Sequence, residues 1–488
     1  MKIKAILFII LVVYPSAVFL QCLPNCTCPS KATIICKGSQ IGQIPMPNTS
    51  MSQVTTFTLQ NTAIKSVPAS AFINFPNVAH INMKGNAINT IAVGAFSGLS
   101  AVSSIDLTHN QLLVLKNNTF KTLNHLTELI LTSNQISSVE NNAFAGLAAL
   151  TNLNLAGNSL SALTPGNFQL PKVTTLILSN NAIASIADDT FNAMSMLQIL
   201  QLDKNQIRAL HDRAFTSIPK LQKLNLKNNV ITTLSSGCFK PINQLNYLNL
   251  NQNALTAITS TTFSALTQLT DLIMAANHIS SVAPGSFQAL TKLRNLFLDG
   301  NRLEYLCSNT LKNVNNLVYL GLSANGLLAI ADNAFSSQGK VTDLLLDFNQ
   351  LTAIGDKTFA GLKNLLDLNI QSNKLSCVSA NAYASTPKLK RVITTSAIAC
   401  CNKPSTVVCL MPRAGCSNQT STITCTNVLP QIPSGKCSMS NPTSNPTSGP
   451  NTKAPTPSQI TGAANTIRAW TNQLTLFICL VVMLTLWA

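Results

Sequence analysis

The chain has 488 residues, of which 46% are hydrophobic and 10% are charged, and 32 Lys and Arg against 15 Asp and Glu give it a net charge of +17. A typical soluble domain carries about 25% charged residues, so this chain is unusually poor in charge. The hydrophobic fraction excludes wholesale disorder, and 22 prolines and 20 glycines without a triplet period exclude a collagen. The length fits either several ordinary domains or one long repeat array.

Residues 1–21 are predicted to be a secretory signal peptide. Lys2 and Lys4 precede a short apolar run from Ala5 to Val13, and small residues follow it. This order of basic, apolar and small residues is typical of a signal peptide. The alternative is a membrane anchor, but the apolar run is shorter than the roughly 20 residues that a spanning helix needs.

Residues 22–53 hold four closely spaced cysteines, Cys22, Cys26, Cys28 and Cys36. In a secreted protein such a cluster favours disulfides over a metal site, because disulfides form and persist outside the cell. The sequence alone permits three pairings. We expect this segment to be a disulfide-bonded N-terminal cap.

From residue 54 to residue 388 one template, LxxLxLxxNxLxxLxxxxFxxLxx, recurs in fourteen units. Twelve of the thirteen steps between unit starts are 24 residues long, and the step from Leu150 to Val173 is 23. The Asn position departs only in the first unit, which has Thr62, and the Phe position departs only at Leu311 and Tyr383. The conserved spacing gives an Asn column and a Phe column: Asn86, Asn110, Asn134, Asn158, Asn181, Asn205, Asn229, Asn253, Asn277, Asn301, Asn325, Asn349 and Asn373, and Phe72, Phe96, Phe120, Phe144, Phe168, Phe191, Phe215, Phe239, Phe263, Phe287, Phe335 and Phe359.

The template predicts a stacked, curved solenoid. Its LxxLxL segment has the period of a strand, and strands of successive units are expected to pair in a parallel sheet with the leucines inward. No single unit can bury its leucines alone, so stacking supplies the core. The Asn side chain both donates and accepts, and it is expected to satisfy backbone groups where each strand turns inward. The Phe column fills the wider return side, so the array curves with its strands on the concave face.

The template resembles the 24-residue typical form of the extracellular leucine-rich repeat family, over about 335 residues of the chain. The resemblance implies an α/β-type repeat solenoid, a curved horseshoe with a parallel β-sheet on the concave face and disulfide caps. It implies pairing of Cys22 with Cys28 and of Cys26 with Cys36, and binding of proteins, lipids or glycans on the concave face. The overall plan is similar to that of glycosylphosphatidylinositol-anchored (GPI-anchored) proteins like the variable lymphocyte receptors of jawless vertebrates, although the C-terminal cap differs.

Large apolar and aromatic residues are concentrated at outward-facing strand positions from the ninth unit onward. An aromatic patch on a surface that tolerates polar residues suggests a binding site, and Tyr is favoured in binding hot spots. Charges also separate, with Lys upstream and Asp downstream. Alternatively, the repeat scaffold simply tolerates scattered apolar residues. The candidate ligand-binding residues are Tyr247, Ile273, Phe297, Tyr319, Leu345, Phe348, Lys223, Lys227, Asp299, Asp343 and Asp347.

Residues 389–437 are predicted to form a cysteine-rich C-terminal cap, because an open solenoid end would expose its leucines. The sequence leaves the disulfide connectivity of this region open. The candidate disulfide cysteines on the C-terminal side, one in the last repeat and six in this segment, are Cys377, Cys400, Cys401, Cys409, Cys416, Cys425 and Cys437.

Two further cysteines lie inside the repeats. Cys238 occupies a column of small residues that is expected to be buried, and it is predicted to be an inert core thiol. Cys307, three units later, is too far from Cys238 for a bond. It is therefore predicted to be a free or intermolecular thiol that can link an oligomer, unless the C-terminal segment folds back to it.

After the cysteines the composition changes. Residues 438–461 are rich in Ser, Thr, Pro and Asn and are predicted to be an extended stalk. Residues 462–488 combine small residues, a short spacer and an apolar end, which favours a GPI-attachment signal with Gly462 as the attachment site. The alternative, a C-terminal transmembrane helix, is disfavoured by the short apolar stretch and the missing basic flank. Glycosylation sequons occur at Asn25, Asn48, Asn117 and Asn418.

No catalytic, cofactor or metal-binding motif is present, so the sequence does not favour an enzyme. The chain is predicted to be a cell-surface recognition or adhesion protein that binds a protein or glycan ligand on its concave face. Innate immune recognition is one role that fits this prediction. The alternatives are a structural spacer of the extracellular matrix and a co-receptor without its own signalling domain. Because the chain is expected to be secreted, nucleic acid is not expected as the partner that explains the +17 charge. The expected partners include a membrane, which the chain contacts through the lipid anchor.

Overall fold

The computed structural model of the chain describes residues 22–396, 399, 406–410, 430, 432–433 and 436–437. Several predictions of the sequence lie outside these residues: the signal peptide, the stalk, the attachment signal with Gly462, the sequon at Asn418, and Cys400, Cys401, Cys416 and Cys425. They stay predictions.

The N-terminal cap is a hairpin that continues into the repeats. Strands Cys26–Ser30 and Thr33–Gly38 pair antiparallel, and Thr33–Gly38 pairs parallel with the first repeat strand, Thr56–Thr62. The disulfides are Cys22–Cys28 and Cys26–Cys36, the two pairings that the family resemblance implies. The cap therefore covers the first coil of the solenoid with Ile34 and Cys36, which are fully buried.

One parallel sheet runs along the whole array, as the template predicts. In neighbouring strands, residues at the same position of the template pair with each other. The 23-residue step keeps this register, because Leu153 pairs with Leu176. The sheet extends two strands past residue 388, so the solenoid continues into the predicted C-terminal cap. Its repeat strands are Thr56–Thr62, His80–Asn82, Ser104–Asp106, Glu128–Ile130, Asn152–Asn154, Thr175–Ile177, Ile199–Gln201, Lys223–Asn225, Tyr247–Asn249, Asp271–Ile273, Asn295–Phe297, Tyr319–Gly321, Asp343–Leu345, Asp367–Asn369, Arg391–Ile393 and Val408–Leu410.

The return side of each coil holds only turns and very short strands. Within residues 54–388 the sole helical segment is the 3₁₀ helix Lys240–Ile242, so the predicted horseshoe is confirmed, but its repeats contain no α-helix. Parallel pairs form among the two-residue strands Ser66–Val67, Thr90–Ile91, Val114–Leu115, Ser138–Val139, Ala209–Leu210, Thr233–Leu234, Ala257–Ile258, Ser281–Val282, Tyr305–Leu306, Ala329–Ile330, Ala353–Ile354 and Cys377–Val378.

The Phe column forms a stack inside the solenoid. Neighbouring rings such as Phe72 and Phe96, or Phe239 and Phe263, lie 5.9 and 6.0 Å apart between centroids with nearly parallel planes. Tyr383 takes the last place, stacks on Phe359 and donates its hydroxyl hydrogen to Ala399 O at 3.1 Å. The column therefore continues into the segment that covers the C-terminal end.

The Asn column forms a second ladder, and the predicted backbone contacts of these side chains are confirmed. Asn229 Oδ1 accepts from Ile207 N at 3.0 Å, while Asn229 Nδ2 donates to Leu202 O at 3.0 Å and to Leu226 O at 2.9 Å. Two of these three groups belong to the preceding repeat and one to the same repeat. Each Asn therefore satisfies buried backbone groups and joins two repeats at a fixed register.

The residue before the Asn position adopts a left-handed backbone in all fourteen repeats, with φ between +51° and +72°. Only Gly85, Gly157 and Gly300 are glycines, and the other eleven include Lys204 and Phe348. A non-glycine residue in this conformation costs roughly 1 kcal/mol or more, so the surrounding ladder must enforce it. The sequence gives little warning of this feature, because the residue types at the position vary widely.

The prediction that Cys307 is a free or intermolecular thiol is wrong. Cys307 forms a disulfide with Cys437, so the C-terminal segment folds back to it across a sequence separation of 130 residues. Lys436 supports this junction, since its ammonium lies 3.0 Å from Glu304 Oε2 and 5.8 Å from the centroid of the Tyr305 ring. With Cys307 bonded within the chain, the inferred oligomer through this thiol has no basis.

Two other cysteines of the repeats differ in their state: Cys238 is a buried thiol, as predicted, and Cys377 forms a disulfide. Cys238 is a free thiol and fully buried, and burial raises its pKa to about 12, which makes it unreactive. Cys377 is disulfide-bonded. The described part of the chain contains no helix that is both apolar and long enough to cross a lipid bilayer.

A substitution in the Asn ladder tests its structural role. Asn301→Ala should lower the stability of the array by about 2 to 4 kcal/mol, because Ile279 N, Met274 O and Leu298 O lose their partner in a buried site. Urea unfolding followed by circular dichroism measures this loss as a lower midpoint. The exposed Asn315, which is outside the ladder, provides the matched control Asn315→Ala, and equal midpoints for the two variants would contradict the role of the ladder.

Candidate ligand-binding face

The concave face is built by the alternation of buried and outward side chains in each three-residue strand. In Asn295–Phe297 the central Leu296 is fully buried, whereas Asn295 and Phe297 on either side are half-buried and face outward. Because all strands pair in register, equivalent residues of successive repeats form columns across the face. The two outward columns of the sheet therefore present residues that are about 24 positions apart in sequence.

Four of the predicted apolar residues lie on consecutive strands. Ile273 pairs with Phe297, Phe297 with Gly321, and Gly321 with Leu345, all in one column. Tyr319 stands in the adjacent column, and its ring packs against Phe297 with 4.6 Å between centroids and 33° between planes. We call Ile273, Phe297, Tyr319 and Leu345 the concave patch.

Two predicted residues lie at the margins of the concave patch. Tyr247 is on the preceding strand, and its hydroxyl oxygen accepts a hydrogen bond from Asn249 Nδ2 at 3.2 Å. Phe348 follows the strand of Leu345, is 55% exposed and holds the left-handed conformation with φ of +53°. All fourteen repeats share this conformation, so it is the bulky, exposed aromatic side chain that marks this edge as a candidate contact region.

Gly321 gives the concave patch its shape. A Cβ atom at this position would overlap the carboxylate of Asp299, which leans over Gly321 from the preceding repeat. Asp299 Oδ1 accepts a hydrogen bond from Ser323 N at 3.0 Å. In other repeats a residue of the same strand accepts from the equivalent N–H, as Asn249 does from Asn251. Asp299 therefore replaces a contact that the side-chain-free Gly321 cannot make.

Three carboxylates surround the Tyr319 ring. Burial raises the pKa of Asp299 to about 6, and burial also raises the pKa of Asp347, whose Oδ1 accepts from Ser323 Oγ. Burial and the nearby charges of Asp299, Asp343 and Asp347 raise the pKa of the Tyr319 hydroxyl. Among the described residues none of these three carboxylates forms an ion pair. The concave patch therefore lies beside three carboxylates, of which Asp343 alone is near a basic group, Arg391.

The remaining charged residues lie further away along the sheet. Lys223 is on the strand next to Tyr247, and Lys227 follows that strand, so both are at least three strands from Phe297. Asp367 is neutralised by an ion pair with Arg391, which lowers its pKa. The predicted separation into a Lys region and an Asp region is thus present, but the structure places only the Asp region beside the aromatic pair.

The described residues hold no group of three or more His, Cys, Asp or Glu side chains arranged for a metal ion. Three predicted glycosylation sites lie on the surface, since Asn25, Asn48 and Asn117 are all exposed. The geometry of this face supports contacts with another molecule through aromatic, apolar and carboxylate groups.

Sequence reasoning missed the partnership of Gly321 and Asp299. It identified Asp299 only as part of a charge trend, because the hydrogen bond crosses from one repeat to the next. The signal that was available is the glycine itself, since a glycine inside a strand often marks close approach of another group.

The profile of the family described as "Leucine rich repeat" matches residues 52–112, 102–160, 149–207, 171–230, 195–255, 243–303 and 339–392. No curated protein matches the chain in sequence. Together the profile matches span well over half of the chain.

Solved structures share the fold at low sequence identity. The structure of the Toll–Spätzle complex of Drosophila matches with a TM-score of 0.59 and 21% identity, over 70% of this chain and 50% of that one. The functional domain of InlJ from Listeria monocytogenes matches with a TM-score of 0.52 and 20% identity, over 70% of this chain and 68% of that one. The Listeria monocytogenes internalin InlF matches with a TM-score of 0.51 and 19% identity, over 65% of this chain and 87% of that one. This chain spans only about half the length of the Toll–Spätzle chain, and these likenesses establish the fold alone.

The carboxylate over Gly321 produces a pH-dependent stability. Because the folded state holds the Asp299 proton more tightly than the unfolded chain, the wild-type fold loses stability as the pH rises from about 4 through about 6. Asp299→Asn keeps an acceptor for Ser323 N and removes this loss. The midpoint of thermal unfolding should therefore rise in the variant relative to wild type at pH 7 and differ little at pH 4. If the midpoint of the variant exceeded that of wild type by as much or more at pH 4 than at pH 7, the result would contradict the burial of this carboxylate.

Proposed function

Because this chain belongs to the leucine-rich repeat family, we propose that it is an extracellular recognition protein that binds a protein ligand through the concave patch. The observation that carries the proposal is the Phe297–Tyr319 pair, whose rings pack together on the outward side of the sheet. Aromatic side chains are enriched among the residues that dominate binding energy at protein interfaces.

The solenoid itself gains little from apolar residues at these positions. In six other repeats the same column holds an Asn or Asp whose Oδ1 accepts from the backbone N–H two residues later, as in Asn82, Asp106 and Asn225. Each such hydrogen bond contributes about 1 kcal/mol. Four consecutive repeats, with Ile273, Phe297, Gly321 and Leu345 in the column, give up the bond within their own strand. Ile130 and Ile177 also occupy this column, but on separate strands, so the concave patch is distinguished by apolar residues on neighbouring strands, which favours a role beyond folding.

The electrostatics favour a ligand that brings positive charge to the concave patch. Asp299, Asp343 and Asp347 lie around Tyr319, and none of them forms an ion pair among the described residues. Only Asp343 also acts on a basic group, the Arg391 guanidinium that Asp367 already pairs with. A Lys or Arg side chain of the ligand would pair with these carboxylates and lie against the aromatic rings. Complementary charge of this kind mainly increases the rate and the specificity of association.

The structural relatives support a protein ligand in general terms. The Toll structure is of a complex with Spätzle, in a system described as a molecular hub in development and innate immunity. This description applies to the Drosophila protein, with which this chain shares the fold. The alternative of a cross-linked matrix spacer loses its supporting observation, because Cys307 is bonded to Cys437.

Double substitution of the aromatic pair tests the proposal. Cells that display the full chain would be screened with a library of soluble extracellular proteins, and Phe297→Ala with Tyr319→Ala should reduce binding of any specific ligand by at least about 100-fold. The matched control is Ile130→Ala with Ile177→Ala, since both residues are half-buried and occupy the column of Phe297 in earlier repeats. Equal loss in the control, or full binding by the aromatic variant at normal surface expression, would overturn the assignment of the concave patch.

We further propose that the protein is held at the outer surface of the plasma membrane by a GPI anchor. The support is the small-residue, spacer and apolar pattern of residues 462–488, together with disulfides that are typical of extracellular proteins.

The anchor is tested by enzymatic release. Phosphatidylinositol-specific phospholipase C should release the full chain from intact cells, and Gly462→Pro is expected to reduce surface attachment if Gly462 is the attachment site. Retention of all surface protein after phospholipase treatment would instead favour the transmembrane alternative.

A further inference from the structure

A line of cations runs along one edge of the concave sheet in the last repeats. This edge is formed by the two residues before and the one residue after the Leu or Val that opens each repeat. In the last four repeats, which open at Leu293, Leu317, Val341 and Leu365, and in the coil that follows them from Leu389, these fifteen positions hold six cations and no acidic residue. In the ten earlier repeats the equivalent thirty positions hold only two Lys or Arg residues, Lys172 and Lys220. We call the six residues the basic rim: Lys292, Arg294, Lys340, Lys363, Lys388 and Lys390.

Three ammonium groups of the basic rim are held in place by the repeat before them. Lys292 Nζ donates to Gln268 Oε1 at 2.5 Å, and Lys340 Nζ donates to Asn316 Oδ1 at 2.6 Å. Lys388 Nζ likewise donates to Asn364 Oδ1 at 2.7 Å. Lys and amide side chains thus alternate along the edge, with an ammonium at every second repeat.

Two of the three amide partners, Asn316 and Asn364, are themselves fixed to the backbone. Asn316 Nδ2 donates to Thr291 O at 2.7 Å, and Asn364 Nδ2 donates to Gly339 O at 2.6 Å. Strands lie about 4.8 Å apart, so consecutive ammonium groups of this line are spaced by roughly 10 Å. Such fixed positions reduce the entropy that is lost when a ligand orders the side chains.

The charge of the basic rim is available to a ligand. Lys292, Lys340 and Lys388 are exposed, and none of them takes part in an ion pair among the described residues. Each bonded ammonium donates to one amide and keeps two further N–H groups. The nearest acidic column, with Asp271, Asp343 and Asp367, belongs to the concave face. Asp367 is paired with Arg391, and of the basic rim only Lys390 contributes to lowering its pKa.

From this geometry we propose that the basic rim binds a linear acidic polysaccharide, a sulfated or uronic-acid-rich chain that lies along the solenoid edge. The alternating amide and ammonium groups match a ligand that alternates hydroxyl and anionic groups. The fifteen edge positions contain no aromatic residue, whereas binding of single-stranded nucleic acid relies on aromatic stacking. The basic rim is separate from the concave patch, so this interaction does not depend on the protein ligand proposed above.

The test uses the full chain, purified in detergent, and a size-defined heparin decasaccharide as the probe. Simultaneous Lys292→Gln, Lys340→Gln and Lys388→Gln should weaken heparin binding by roughly tenfold or more, because three charge contacts are lost together. The slope of log Kd against log salt concentration should also fall by about 2 to 3, as expected when fewer counterions are released. The matched control is Lys65→Gln, Lys116→Gln and Lys121→Gln, which removes the same charge from exposed positions outside the rim.

Three outcomes would overturn the proposal. The first is no heparin binding by wild type at physiological salt, and the second is an equal loss in the control, which would show that only net charge matters. The third is rim-dependent binding of single-stranded DNA that is as tight as that of heparin, which would assign the rim to nucleic acid. Unchanged heparin binding by the Phe297→Ala and Tyr319→Ala variant is expected, and it separates this test from that of the concave patch.

Discussion

The Asn ladder is the constraint on which the rest of the structure depends. Each strand must turn inward after three residues, and the backbone groups at that turn are buried with no strand partner. An Asn side chain both accepts from an N–H and donates to carbonyl oxygens, and Asn229 satisfies groups of two successive repeats with one amide. The ladder therefore fixes the period, and the fixed period brings residues 24 positions apart in sequence to neighbouring places on the concave face.

The functional surfaces follow from this alignment of columns. Phe297 and Tyr319 meet because their repeats are adjacent and in register, and Lys292, Lys340 and Lys388 form a line for the same reason. The final repeats thus carry negative charge on the concave face and positive charge along one edge. The disulfide from Cys307 to Cys437 closes the chain over these same repeats, which restrains the part of the solenoid that presents both surfaces.

Much of the architecture was predictable because it repeats. The period, the Asn and Phe columns, the parallel register and the adjacency of Ile273, Phe297, Tyr319 and Leu345 all follow from the template. The features that escaped prediction are those that the template does not encode. The left-handed residue before each Asn varies from Gly85 to Phe348, the Asp299 carboxylate serves a neighbouring repeat, and the partner of Cys307 comes from a segment without a repeat pattern.

The central claim is that the ladder presents the concave patch as the ligand-binding surface, and hydroxyl-radical footprinting tests it most directly. The full chain would be oxidised with and without a bound protein ligand, and modification would be read by mass spectrometry at each aromatic residue. The account predicts that oxidation of Phe297, Tyr319 and Phe348 falls on binding, while that of Tyr305 on the return side is unchanged. Protection of Tyr305 with no change at Phe297 and Tyr319 would contradict it.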